Sequence, residues 1–418
     1  MELKFGYGTT EQVVNVEEKN LLDVLMSNPV EHERRGVDAV KFALDNPLLG
    51  SRAVRLSARQ LAGKKIVIVT SDISRPCPSA EILPPVLDEL YAAGAKDEDI
   101  CIVFALGSHR HHTEEEKRRL AGDAVYSRIR CTDSDPDDCI HIGTTSRGTP
   151  VDITRTVAEA DCRICLGNVE FHYFAGYSGG YKAVMPGAST PAAIQANHKM
   201  MLWDSACAGK LEGNPIREDI EEAGRMLGVD YIVNVVLDEH RGIVYAAAGD
   251  PVLAHCDACR YLDKMYIKPV ARKADIVIAA QGGAPKDANL YQLQKALDNA
   301  RHAVKDGGTV ILIGACNEGL GNKTFGQWFA EADSPAALTE RISREFVLGG
   351  HKAAAIAKVL ELADIYLVSE MDPAFVESLF MKPYSCAAQA YADALKKHGA
   401  DARVLAMPFA GATLPVVG

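Results

Sequence analysis

The sequence predicts an α/β protein with parallel sheets, and three observations carry that expectation. KIVIVT (65–70), ICIVFAL (100–106) and CRICLGN (162–168) are near-continuous apolar runs, as strands covered on both faces must be. Amphipathic segments of helical period alternate with such runs. A second strand–helix series starts after residue 273, and at about 100–200 residues per domain a chain of 418 residues suggests two domains.

Between the first two runs, a helix is expected around 79–93, with Leu83, Val86, Leu90 and Tyr91 on one face and Gly94 closing it. The crossovers of such a βαβ pattern are right-handed. YIVNVVLDEHRGIVYAAAG (231–249) holds two alternating runs around a polar, Gly-containing turn, which reads as a hairpin. After a helix at 251–266, the short basic segment IKPVARK (267–273), containing Pro269, is the expected connection between domains. The second unit then runs through ADIVIAA (274–280), a helix around 289–305, GTVILIG (308–314), helices around 336–346 and 351–362, ADIYLVS (363–369), a helix around 384–398, and ARVLAMP (402–408). Domain boundaries of 1–268 and 274–407 follow.

Composition narrows the function. The chain carries 45 basic and 56 acidic residues, a net charge of −11, which disfavours nucleic acid as a partner. No apolar run approaches the roughly 20 residues of a membrane span. The start, MELKFGYGTTEQ, lacks the basic and apolar regions of a signal peptide. Eleven cysteines, an odd number, are expected to be reduced thiols. Of the two CxxC pairs, Cys162/Cys165 lies in a strand, where residues three apart point to opposite faces, so a four-thiolate zinc site with Cys256/Cys259 is disfavoured. A cytoplasmic enzyme is the expected class.

In open α/β sheets ligands bind beyond the carboxyl ends of the strands, and that is where the chemistry-bearing residues stand. Ser71-Asp72-Ile73-Ser74-Arg75-Pro76 follows the first strand; it suits an anion site or, equally, an Asp cap beside a surface arginine. Gly107-Ser108-His109-Arg110-His111-His112-Thr113 follows the second, placing a histidine for acid–base work or forming a polar helix entry with Thr113 as cap. The third strand leads into Asn168-Val-Glu-Phe-His172-Tyr-Phe-Ala-Gly176-Tyr-Ser-Gly179-Gly180-Tyr-Lys182, which is too polar and glycine-rich for core. Tyr181 and Ala183 around Lys182 exclude a Walker loop, and no G-x-G-x-x-G follows a strand. His198 sits on a helix opening near Thr190. In the second unit, Tyr291, Gln292 and Lys295 share a helix face that suits a carboxylate or simply water.

Taken in order, S-D-I-S-R-P, G-S-H-R, E-F-H-Y-F-A-G-Y-S-G-G-Y-K, N-H and N-L-Y-Q-L-Q-K resemble the nickel-pincer-nucleotide-dependent lactate racemase family over nearly the whole chain. The resemblance implies two Rossmann-like α/β domains, an active-site cleft between them, and a C-terminal tail (408–418) that returns to the N-terminal domain. It implies a pyridinium mononucleotide whose sulfur-bearing arms and ring carbon grip Ni(II), linked covalently to Lys182, with His198 as nickel ligand. Asp72, Ile73, Ser74 and Arg75 match cofactor- or anion-contacting positions. His109 and His172 match the two acid–base histidines, and Gln292, Lys295 and the neighbouring Tyr291 the substrate-binding positions. One departure is His111, which stands where the pattern has proline.

The implied reaction is racemisation of a 2-hydroxy acid, lactate first, by reversible hydride transfer. Malate, 2-hydroxyglutarate, an aromatic or a sugar acid are alternatives. A metal-dependent hydrolase built on His109, His111 and His112 is a remote one. The expected partners are the substrate and the enzymes that make the cofactor.

Overall fold

The computed structural model describes residues 1–50 and 54–418, and the chain divides into two compact units, residues 30–264 and residues 1–29 with 265–418. In the first unit a six-stranded sheet runs in the order Ile243–Gly249, Tyr231–Leu237, Cys162–Val169, Ile66–Ser71, Ile100–Ala105 and Arg130–Asp133. All neighbours are parallel except the hairpin between Tyr231–Leu237 and Ile243–Gly249. The three runs singled out in the sequence are thus its three central strands.

The helix Ser79–Ala92 covers one face, burying Leu83, Val86 and Leu90 against Ile66, Ile68, Ile102 and Ile164. Each such aliphatic side chain contributes about 1.5–3 kcal/mol when removed from water. Ala93 closes the helix, followed by Gly94 at φ 90°, where a Cβ would be strained. The chain leaves Ile66–Ser71 toward Ile100–Ala105 on one side and later places Cys162–Val169 on the other. That reversal makes a topological switch point beside the end of Ile66–Ser71.

The second unit repeats the plan with six parallel strands, in the order Lys382–Tyr384, Asp364–Val368, Val304–Ile313, Ala274–Ala280, Val404–Met407 and Leu21–Val24. Its core joins Ile276, Ile278, Ile311 and Val404 to Leu3, Phe5 and Val14 from an N-terminal hairpin, Glu2–Tyr7 with Thr10–Asn15.

The division therefore differs from the expected boundary of 1–268. Residues 1–29 build on the second sheet, because Leu21–Val24 supplies an edge strand to Val404–Met407. The connection expected at 267–273 is partly a strand. Ile267–Val270 pairs in parallel with Leu414–Val417, which a two-stranded ribbon permits despite Pro269. The tail 408–418 thus belongs with residues 265–418 rather than with the N-terminal domain, and Asn299 Nδ2 also holds it through the Ala410 carbonyl (2.7 Å). Among the described residues no helix is long and apolar enough to cross a membrane.

Candidate active site

The first unit gathers its chemistry at the carboxyl ends of its central strands. Directly after Ile66–Ser71, Asp72 is buried, and its Oδ2 accepts from His109 Nδ1 at 2.7 Å. Ser74 Oγ donates to Asp72 Oδ1 (3.0 Å) and lies 3.3 Å from His109 Nδ1, while Arg75 Nε stands 4.0 Å from Asp72 Oδ1. Burial pushes the Asp72 carboxyl up, but the hydrogen bond and charge of His109, the Ser74 hydroxyl and the Arg75 charge outweigh it and hold the group below its ordinary value. With Nδ1–H committed to this carboxylate, His109 carries its basic lone pair on Nε2. An open pocket of about 270 Å³ is lined by Asp72, Ile73, Ser74, His109 and Arg110.

The neighbouring histidines do other work. His112 donates from Nδ1 to Asp133 Oδ1 (2.6 Å) and accepts the Ile73 backbone N–H at Nε2 (3.0 Å), so both ring nitrogens are used in fixing the loop that presents Asp72. His111 reaches only the other oxygen of Asp133, at 3.3 Å. Thr113 caps the helix Glu114–Ala121, with Glu116 completing a capping box. Three histidines each bound to a carboxylate in this way do not converge on one ion. Among the described residues no group of three or more His, Cys, Asp or Glu could hold a metal, and the eleven cysteines are free. Among the described residues neither His109, His111 and His112 nor the four CxxC thiols form such a group.

The glycine-rich loop after Cys162–Val169 folds around Phe174. The Phe174 ring lies 4.5 Å from that of His172 and 4.8 Å from that of His198, both edge-on, and the Lys182 ammonium stands 6.0 Å from its centroid. The glycines are required sterically. Gly176 has φ 77°, and a Cβ there would lie 2.0 Å from the Lys210 carbonyl oxygen; at Gly179, φ 76°, it would lie 2.8 Å from Asn234 Oδ1. Asn234 Oδ1 in turn accepts the Gly180 N–H at 2.8 Å.

This surrounding is positive and desolvated. Burial, then the charges of Arg217 and Arg75, hold the Lys182 amine well below the usual lysine range. Burial, then Lys182, Arg75 and His198, likewise hold His172 well below the ordinary histidine value. Burial thus disfavours the charged form of each, and the uncharged form is the one in which an amine is a nucleophile and an imidazole a proton acceptor. His198 Nδ1 faces Asn197 Oδ1 at 2.9 Å. Since among the described residues no group of three or more His, Cys, Asp or Glu could hold a metal, His198 fits a metal that arrives with its other ligands on a cofactor, and a lysine amine whose charged form is disfavoured by burial fits covalent attachment of that cofactor.

In the second unit, Gln292 and Lys295 are exposed on one face of the helix Leu290–Ala300, while Tyr291 is half-buried. The Lys352 ammonium lies 4.1 Å over the Tyr291 ring and donates to the Tyr291 carbonyl at 2.6 Å. Asn289 caps this helix through the Gln292 N–H.

Comparison with known proteins decides the family. Residues 7–209 match the lactate racemase N-terminal domain and residues 270–414 the lactate racemase C-terminal domain. A lactate racemase of Thermoanaerobacterium thermosaccharolyticum is 32% identical over 393 residues, covering 91% of each chain. The chain belongs to the lactate racemase family. One from Lactiplantibacillus plantarum is 31% identical over 94% of each chain. The solved lactate racemase apoprotein of T. thermosaccharolyticum superposes with a TM-score of 0.90 at 30% identity over the full length of both chains. A Thermotoga maritima protein with a TM-score of 0.67 and 17% identity shares the fold. As a lactate racemase family member the chain is an isomerase.

Several residues that shape this racemase site escaped sequence reasoning. Arg217, 1% exposed, donates from Nε to the Ala175 carbonyl (3.3 Å) and from Nη2 to that of Tyr177, clamping the loop, while its Nη1 has no hydrogen-bond partner among the described residues. Asn214 caps the helix Pro215–Leu227 and reaches the Phe174 carbonyl at 2.9 Å. The Asn-Pro pair at 214–215 was a readable helix start. Nothing local marked Arg217, since a charged residue on an amphipathic helix ordinarily faces water.

Proposed function

We propose that this chain racemises a 2-hydroxy acid, with lactate as substrate, using a nickel-pincer nucleotide attached to Lys182. The observation that carries the reading is the ring of Phe174, around which stand two imidazoles and a desolvated lysine amine, with the Asp72–His109 pair following the adjacent strands of the same sheet. Membership of the lactate racemase family gives those groups their roles: His198 as nickel ligand, Lys182 as attachment point, and His109 and His172 as acid–base pair. Asp72, Ile73, Ser74 and Arg75 are assigned to the cofactor or an anion. The assignment of Gln292, Lys295 and Tyr291 to substrate rests on the family resemblance.

When bound, the cofactor supplies a reversible acceptor for the hydrogen and electron pair leaving the substrate's α-carbon. The protons are the chain's responsibility. Neutral His109 takes the hydroxyl proton at Nε2, while Asp72 holds Nδ1–H and stabilises the resulting cation. Loss of the α-hydrogen with its electrons leaves a planar 2-keto acid; return of both to the opposite face, with a proton from His172 entering this direction as the imidazolium, gives the mirror isomer, after which His109 gives its proton to water and His172 takes one up. The reverse direction exchanges the two histidines' roles. Arg75 holds the carboxylate, which keeps the reacting carbon in place while its configuration inverts.

The test is protein produced together with the cofactor-making enzymes, analysed by intact mass, nickel content and chiral assay of lactate. One nickel per chain, an added nucleotide mass absent from Lys182→Ala, and interconversion of D- and L-lactate are expected. Full adduct on Lys182→Ala would remove the attachment assignment. Activity confined to malate, 2-hydroxyglutarate or an aromatic or sugar acid would move the substrate assignment.

A further inference from the structure

We infer that Asn197, seated on the buried carboxylate of Asp219, is a positioning residue that sets which nitrogen of His198 faces the metal; this rests on the reading of His198 as nickel ligand. Asn197 and Asp219 are both fully buried. Asn197 is the last residue but one of the helix Pro191–His198 and Asp219 lies in the first half of Pro215–Leu227, so the contact joins two helices.

The orientation of the Asn197 amide is fixed by a backbone carbonyl. Asn197 Nδ2 faces the Ile216 carbonyl, which can only accept, at 3.2 Å, and Asp219 Oδ2 at 2.7 Å. The amide nitrogen must therefore be on that side, which turns Oδ1 toward His198. Asp219 also receives the hydroxyls of Thr145, on Oδ1, and of Thr149, on Oδ2 at 2.7 Å. With Oδ1 able only to accept, the 2.9 Å contact to His198 Nδ1 requires the proton on Nδ1, which in the neutral ring leaves the lone pair on Nε2. A metal-binding histidine is oriented in this way by the partner of its other nitrogen. Here the partner is a neutral amide, so Asp219 aims the imidazole without sitting against it.

The same four residues could merely fill a buried polar cluster between helices, and the experiment separates the two roles. In the full-length apo chain labelled with 15N-histidine, long-range 1H–15N spectra report the tautomer of His198, assigned by its absence from His198→Gln. Wild type should show Nδ1–H. Asn197→Leu, close in volume, should lose that preference, and its holo form should lose nickel to a chelator about 10–100-fold more readily. The paired exchange Asn197→Asp with Asp219→Asn restores an acceptor toward His198 and a donor between the helices, and should recover both properties. An Nε2–H form in wild type, an unchanged tautomer and nickel retention in Asn197→Leu, or loss of the Nδ1–H form in a folded paired variant would each overturn the inference. Full nickel retention by His198→Ala would instead end the ligand assignment, with the tautomer result standing by itself.

Discussion

His109 donates to Asp72 across 2.7 Å although the two residues are 37 positions apart in the chain. They meet because Ile66–Ser71 and Ile100–Ala105 are adjacent parallel strands, in register from Ile66 with Ile100 to Ser71 with Ala105, so both chains leave the sheet at the same level. A carboxylate behind an imidazole fixes its tautomer, which leaves Nε2 to take the proton.

Asp72→Asn should keep the fold and lose this backing. Steady-state racemisation is expected to fall by about 100–10,000-fold, the usual range for general acid–base assistance. Ser74→Ala, which removes a 3.0 Å hydrogen bond to the same carboxylate, should cost less. Unchanged turnover in a nickel-loaded Asp72→Asn enzyme would show that His109 acts without it.

His109→Ala and His172→Ala should each abolish racemisation while nickel and nucleotide content remain, because each direction of the cycle needs one histidine as base and the other as acid. Rapid mixing with D- or L-lactate should then reveal opposite preferences for the residual hydride step. Racemisation near the wild-type rate in either loaded variant would reduce that histidine to a structural role.

On the proposed assignment, Lys295→Ala removes a charged partner of the substrate carboxylate. Such hydrogen bonds are worth about 1.5–3 kcal/mol, or roughly 10–150-fold in kcat/KM. Both enantiomers should suffer alike, because the carboxylate is common to them; a loss confined to one hand would place Lys295 elsewhere on the substrate.

Acid should destabilise the fold through its buried neutral histidines. Burial beneath the glycine loop, with the Arg217 charge, lowers His255 to about 3, and its Nε2 donates to the Ser178 carbonyl at 2.8 Å. An unfolded chain binds this proton near pH 6.5, so stability is fully present above that pH and is lost as pH falls from 6.5 toward about 3. At about pH 5 the difference is roughly 2 kcal/mol. Urea midpoints of wild type should therefore drop between neutral pH and pH 5 by more than those of His255→Gln. Parallel shifts in the two proteins would count against the assignment.

Much of the first unit was legible because its information is local. The runs at 65–70, 100–106 and 162–168 are apolar without interruption, and the end-of-strand rule then directed attention to Asp72, His109 and the loop leading to Lys182. Caps were equally readable, as Thr113 and Thr190 show. The edge strand Leu21–Val24 was not. Four residues carry too little periodicity to announce a strand, and its partner Val404–Met407 lies at the far end of the chain. The same holds for Ile267–Val270, whose proline and basic residues read as linker until Leu414–Val417 is placed beside it.

The sequence by itself determined the strand–helix alternation, the family, and the residue types standing where strands end, since periodicity and motif order are properties of neighbours in the chain. Tertiary structure alone decided the pairings that give those residues their chemistry: Asp72 with His109, Arg217 with the Ala175 and Tyr177 carbonyls, Asp219 with Asn197. Each joins distant positions through groups that ordinarily prefer water. A buried polar group costs about 1–3 kcal/mol when left without a partner, so closure of the fold around such groups selects their partners, and no spacing along the chain records the choice.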